Sequence, residues 1–210
     1  MAPGGPSLPI THPEGACPVS RLITLHNTLF AGLERWTDGL LPLLARFVFA
    51  ATLLAYFWAS AATKLGDGLL GFLIPSTGAY AQIFPKAMEA VVYDTSQLSV
   101  FHWAVVVAGT WAEFLLPLLI VIGLATRLAA LGMIGFVVVQ SLTDLYGHGG
   151  IEHSETLGAW FDRIPDSVIL DQRAFWMLTL VTLVIKGAGV LSVDQLLGLQ
   201  TSKLRSAEAV

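Results

Sequence analysis

The sequence predicts an all-α fold, a four-helix transmembrane bundle preceded by an N-terminal amphipathic interfacial helix, on three observations. Of 210 residues, 55% are hydrophobic and 12% charged, and a mean hydropathy of +0.71 is too apolar for an ordinary soluble domain. Several apolar runs are long enough, at ~1.5 Å per residue, to cross a hydrocarbon core of ~30 Å. One of them, residues 100–124, carries a carboxylate, Glu113, near its middle. An ionisable group at the bilayer centre costs at least ~2.5–3.5 kcal/mol on insertion scales, so Glu113 must face a partner inside a bundle and not lipid.

Composition also excludes. A net charge of −4 and a pI near 5.6 argue against nucleic-acid binding, which needs a basic face. Cys17 is the sole cysteine, which leaves no internal disulfide and no thiolate metal cluster.

In chain order, residues 1–20 are rich in proline and glycine and read as a flexible tail. They lack the charged n-region and short apolar stretch of a signal peptide. Across 21–37, Leu22, Leu25, Leu29, Leu33 and Trp36 recur at three- and four-residue steps, predicting a helix in the interface plane anchored by Trp36. Residues 38–199 form the membrane domain and 200–210 a cytoplasmic tail. Thr37 or Asp38 is positioned to cap the first span, with Pro42 in its first turn. That span runs over 40–64, and Tyr56, Ser60 and Lys64 share one face, with Arg46 at nearly the same angle. The glycine- and proline-broken connection 65–99 holds apolar runs too short to span, which predicts interfacial or re-entrant helices. The second span carries Glu113, the third covers 128–146 with Gln140 and Asp144 on one face, and the fourth covers 174–199 beyond an acidic loop, 147–173.

Pro117 stands four residues after Glu113 and has no N–H to give to the Glu113 carbonyl. Counted inward from Ser99 and from Arg173, Glu113 and Lys186 fall at matched depth, so an ion pair across the bundle is expected. Thr110 one turn away, with Tyr56 and Trp111 as an apolar wall, completes a candidate midplane pocket for a ligand. Arg46, Arg127 and Asp194 are expected to cluster at the inner interface, where long side chains snorkel and meet lipid phosphate. His148 and His153, beside Glu152 and Glu155, are weak candidates for a metal, because their spacing fits no firm ligand signature. His102 lacks a second histidine at matched depth for haem. No nucleophile and base pair, phosphate-cradling loop or dinucleotide fingerprint is present. Four spans place both termini on one side, and the lysines and arginines near the span ends make that side cytoplasmic.

Three stretches carry a family resemblance: RFVFAATLLAYFWASAATKL at 46–65, Glu113 followed by GLATRLAAL at 123–131, and KGAGVLSVDQLLG at 186–198. In order and spacing they resemble the DoxX family of small four-helix integral membrane proteins. Members commonly read Gly-Pro-Gly before the Ser-x-Asp, where this chain has Gly187, Ala188 and Gly189. The resemblance implies a bacterial-type inner-membrane protein. In some members it further implies a subunit of a quinone-linked oxidoreductase such as thiosulfate:quinone oxidoreductase, with a quinone as the one cofactor to expect. The residues alone leave open a small-solute permease, with the Glu113 region as its central site, and a non-catalytic membrane anchor that docks a soluble partner or assembles as an oligomer.

Overall fold

A computed structural model describes residues 18–198. Cys17, the tail before it, Lys203, Arg205 and the C-terminal tail lie outside the described residues, as do the side chains of Arg35 and Trp36. Two compact units divide the chain, 1–37 and 38–210. Among the described residues the structure is helical without strands, and four helical stretches are long and apolar enough to cross a membrane: Thr37–Lys64, Val100–Ile122, Thr126–Gly147 and Val168–Lys186. The chain is an integral membrane protein with a helix bundle.

Helix α1 is Pro18–Phe49. Within 1–37 its leucines Leu22, Leu25, Leu29 and Leu33 are exposed. Thr37 does not cap a new helix: its hydroxyl donates back to the carbonyls of Leu33 and Glu34 at 3.2 and 2.7 Å, the habit of a threonine inside a helix. Pro42 accordingly sits in the helix interior and not in a first turn. A π turn at Ala50–Leu54 leads into α2, Ala55–Lys64.

The connection 65–99 folds as broken short helices, α3 (Thr77–Ile83) and α4 (Pro85–Ala90). Ser76 caps α3 by accepting from the Ala79 amide at 3.2 Å. Ala79, Tyr80 and Met88 bury against Val106. At 94–97 the Gln97 amide and Ser96 donate to the Asp94 carboxylate and hold it below the usual carboxylate range.

Helix α5, Val100–Ile122, ends at Gly123, whose φ of +73° starts a tight link into α6, Thr126–Leu142. The Leu124 amide reaches back to Leu119 O at 3.0 Å, the six-residue closure of a glycine-terminated helix. A second π turn, Thr143–Gly147, extends α6, and the one-turn helix α7 is Ser154–Leu157. A third π turn, Val168–Gln172, opens α8, Arg173–Lys186, and α9 is Val193–Leu196. The fourth span therefore starts earlier than the hydrophobic run suggests and stops at Lys186, because Gly187 (φ +80°) and Gly189 (φ +71°) take backbone conformations that end a helix.

The spans alternate in direction. Arg46 near the start of the first meets Ile120 near the end of the second, and Arg173 at the start of α8 meets Ser141 at the end of α6. Segments 65–99 and 148–167 thus share one end, the far end, where a His148 ring nitrogen lies 3.0 Å from Gln82 O. The core joins Phe49, Leu53 and Phe57 to Ile120, Met133, Val137, Leu180 and Leu183, with Ala129 and Ala130 letting backbones approach. Large apolar side chains such as Phe47, Leu115, Val139 and Leu178 face outward, the surface a bilayer solvates.

Candidate functional site

The site is built where α2 ends against the middle of α5. Glu113 and Lys64 are 3% and 4% exposed, and Lys64 Nζ lies 2.8 Å from Glu113 Oε2 and 3.1 Å from Oε1. Lys64 reaches inward because a helical side chain points toward the N-terminal turn. Its ammonium folds back one turn to donate to Ser60 O at 3.2 Å and Ser60 Oγ at 2.7 Å. The Ser60 hydroxyl in turn lies 3.4 Å from Glu113 Oε1. Each charge is thereby matched and hydrogen-bonded, the condition for holding two ions away from water. What this arrangement can do is keep a carboxylate and its counter-ion paired in the interior of the bundle.

Lys186 is not the partner of Glu113. It ends α8 and pairs with Asp38 Oδ1 at 2.7 Å, with side chains 37% and 76% exposed. The two residues do not share a depth, because the fourth span stops at Lys186 and does not continue through Gly187, whereas Glu113 lies well inside α5. Thr110 is buried, but its hydroxyl donates to Val106 O of its own helix at 2.8 Å. Trp111 stacks edge-on with Phe72, and Tyr56 meets Gln140 and Trp176. Of the five residues expected in one midplane pocket, Thr110 and Glu113 share the buried face of α5, whereas Lys186, Tyr56 and Trp111 hold other partners. Beside Pro117, the indole N–H of Trp58 donates to Phe114 O at 3.1 Å.

At the near end, Arg46 and Asp194 serve the same three-residue link, 123–125, from its two sides. Arg46 donates through Nε to Ile120 O at 3.1 Å, through Nη1 to Ala188 O and Leu191 O at 3.1 and 3.0 Å, and through Nη2 to Val121 O. It thus takes the carbonyls that end α5. Asp194 accepts from the amides of Ala125 and Thr126 at 2.6 and 2.9 Å, a cap on α6 supplied from across the fold. Arg127 is exposed outside this knot.

His153 lies 3.7 Å from Glu155 with both exposed, while His148 turns to Gln82, so the structure does not bring the two histidines into one ligand set. Among the described residues no group of three His, Cys, Asp or Glu could hold a metal ion. Sequence reasoning missed Lys64 as the partner, Ser60 as its relay, and the Arg173 and Asp144 pair. The signal for the first was present, since Ser60 and Lys64 share a face at i, i+4.

An all-helical four-span membrane bundle with a buried ion pair is the class that fold and site define. Comparison with protein-family models, with curated proteins and with solved structures finds no match.

Proposed function

We propose that the chain is a DoxX-like membrane subunit of a quinone-linked redox complex, in a bacterial-type inner membrane with both termini cytoplasmic. The observation that supports it is the pair of Glu113, near the middle of α5, with Lys64 at the end of α2: a buried ionisable couple costs several kcal/mol to desolvate and is a functional candidate by default inside a membrane. In this reading the couple exchanges protons with a quinone or quinol bound nearby, while Ser60 connects the two charges. The three stretches that resemble the family all fall on residues with defined work: 46–65 supplies Arg46, Ser60 and Lys64, the second supplies Glu113 and the α5–α6 link, and the third supplies Asp194.

The test is affinity isolation from native membranes, identification of the bound subunits, and quinone reduction by the isolated complex. A co-purified redox subunit is expected, with turnover that drops in Glu113→Gln. Isolation of a soluble partner with no redox centre and no quinone turnover would replace the proposal with the anchor reading.

A further inference from the structure

A second polar cluster lies toward the far end, where the first, third and fourth spans meet. Arg173 is 4% exposed. Its Nη1 donates to Ser141 Oγ at 2.8 Å and its Nη2 pairs with Asp144, but its Nε–H has no partner among the described residues. On the same stretch of α6, Gln140 donates Nε2–H to the Tyr56 hydroxyl at 3.1 Å while its buried Oε1 has none. Turning the amide over would satisfy Oε1 with the Tyr56 proton and strand Nε2–H instead, so one amide atom is left over in either orientation.

Both residues are tied to Trp176. The Arg173 guanidinium lies 5.8 Å from its ring centre, and Tyr56 and Phe57 lie 5.4 and 5.9 Å from it. Tyr56 and Phe57 of α2 meet Trp176 of α8 ring to ring along a seam, where Tyr56 is 42% exposed. Each contributing span also carries a π turn beside the cluster: Ala50–Leu54 before Tyr56, Thr143–Gly147 after Gln140, and Val168–Gln172 before Arg173. Such turns are rare, cost helix stability and recur at functional sites. A buried donor and a buried acceptor without partners on packed helices, α8 and α6, are a demand that packing alone does not create.

We propose that this seam binds a bilayer-dissolved amphiphile whose head is a flat ring bearing carbonyl or hydroxyl oxygens. The ring lies against Trp176, a ring oxygen accepts from Arg173 Nε–H, and the Tyr56 and Gln140 pair meets a second oxygen. A carbonyl can take the Tyr56 proton and a hydroxyl can donate to Gln140 Oε1, so the pair suits either form of the ring. Entry is lateral, from lipid. The site is separate from the Glu113 and Lys64 pair, and it rests on the proposed function only for the choice of a quinone-type ring.

The experiment titrates a decyl-chain benzoquinone into the purified full chain in phosphatidylcholine nanodiscs, read by quenching of indole fluorescence. Wild type is compared with Gln140→Leu, Tyr56→Phe and Lys186→Met. About tenfold weaker binding is expected in Gln140→Leu, from one lost polar contact, and weaker binding in Tyr56→Phe, with Lys186→Met, at the partly exposed pair with Asp38, unchanged within about twofold. Without ligand, Gln140→Leu should melt higher than wild type, since it removes an unmatched buried polar atom. Binding by wild type that neither Gln140→Leu nor Tyr56→Phe weakens would overturn the seam and leave the quinone reading intact. No binding by wild type, or a Gln140→Leu protein that melts lower and binds as before, would overturn the seam as a site. The quinone reading is judged separately, by turnover of the isolated complex.

Discussion

Lys64 Nζ sits 2.8 Å from Glu113 Oε2, with side chains 5% and 4% exposed, so two opposite charges share one dry volume near the middle of α5. Removing one partner leaves the other uncompensated. Lys64→Met or Glu113→Gln alone should cost roughly 3–5 kcal/mol, whereas the double substitution should recover much of the loss. Thermal melting in detergent measures this, and singles that simply add in the double would show that the two residues do not couple.

Lys186 offers the contrast, because its pair with Asp38 is partly exposed. Lys186→Met should change stability by no more than about 1 kcal/mol, and less in high salt. A loss as large as that of Lys64→Met would contradict the assignment of depth to the two lysines.

Gly123 and Gly135 should respond oppositely to alanine. At Gly123, with φ +73°, a Cβ would come within 2.6 Å of Ser192 Cβ and 2.9 Å of Arg46 Cζ. The left-handed conformation alone costs about 1–2 kcal/mol, and displacing Arg46 adds to it. At Gly135, inside α6, a Cβ meets nothing within 4 Å, so alanine should stabilise by up to about 1 kcal/mol. Melting temperatures of the two variants decide the matter.

Asp194→Ala should strand two amides, those of Ala125 and Thr126, and cost at least about 2 kcal/mol. Asp194→Asn keeps one acceptor oxygen and should lose less. Amide hydrogen exchange at 125 and 126 reads the cap directly, and unchanged protection in Asp194→Ala would remove it from that role.

Topology is open to labelling. Ser154 is exposed at the far end, so Ser154→Cys should react with an impermeant thiol reagent in intact cells while the native Cys17 does not. The reverse pattern would put the termini outside.

The four apolar helices were legible because twenty-odd apolar residues have one physical meaning in a chain of this composition. So was the inward turn of Arg46 and Lys64, which follows from the helical period, although Tyr56, read on the same face, is 42% exposed. The partner of Glu113 was not, for a definite reason: hydropathy does not show where a helix stops when the next residues are Gly187, Ala188 and Gly189, which are compatible with an apolar run. Thr37 and Asp38 likewise have the chemistry of a cap, but whether a cap forms depends on the backbone before them, and that backbone is already helical. The unpartnered atoms of Gln140 and Arg173 were invisible for another reason. An orphaned atom is a property of packing, and nothing in local sequence marks it.

The hydrogen bonds of Arg46 have a consequence for the order in which the chain can be assembled. Its carbonyl partners lie 74 to 145 residues further along. At ribosomal rates of roughly 5–20 residues per second, the last of them is synthesised about 7–30 s after the arginine. Until Ile120 and Val121 are made the guanidinium of the first inserted span has no native acceptors, and until Ala188 and Leu191 follow it has only part of its set, so its charge must be held at the lipid headgroups, in water or by the insertion machinery. Docking of the first span is therefore a late event. The final turn of the fold, around Ala188 and Leu191, acts as a latch that closes only once every span is in place, so a chain stalled before it exposes an unmatched charge that membrane quality control can detect.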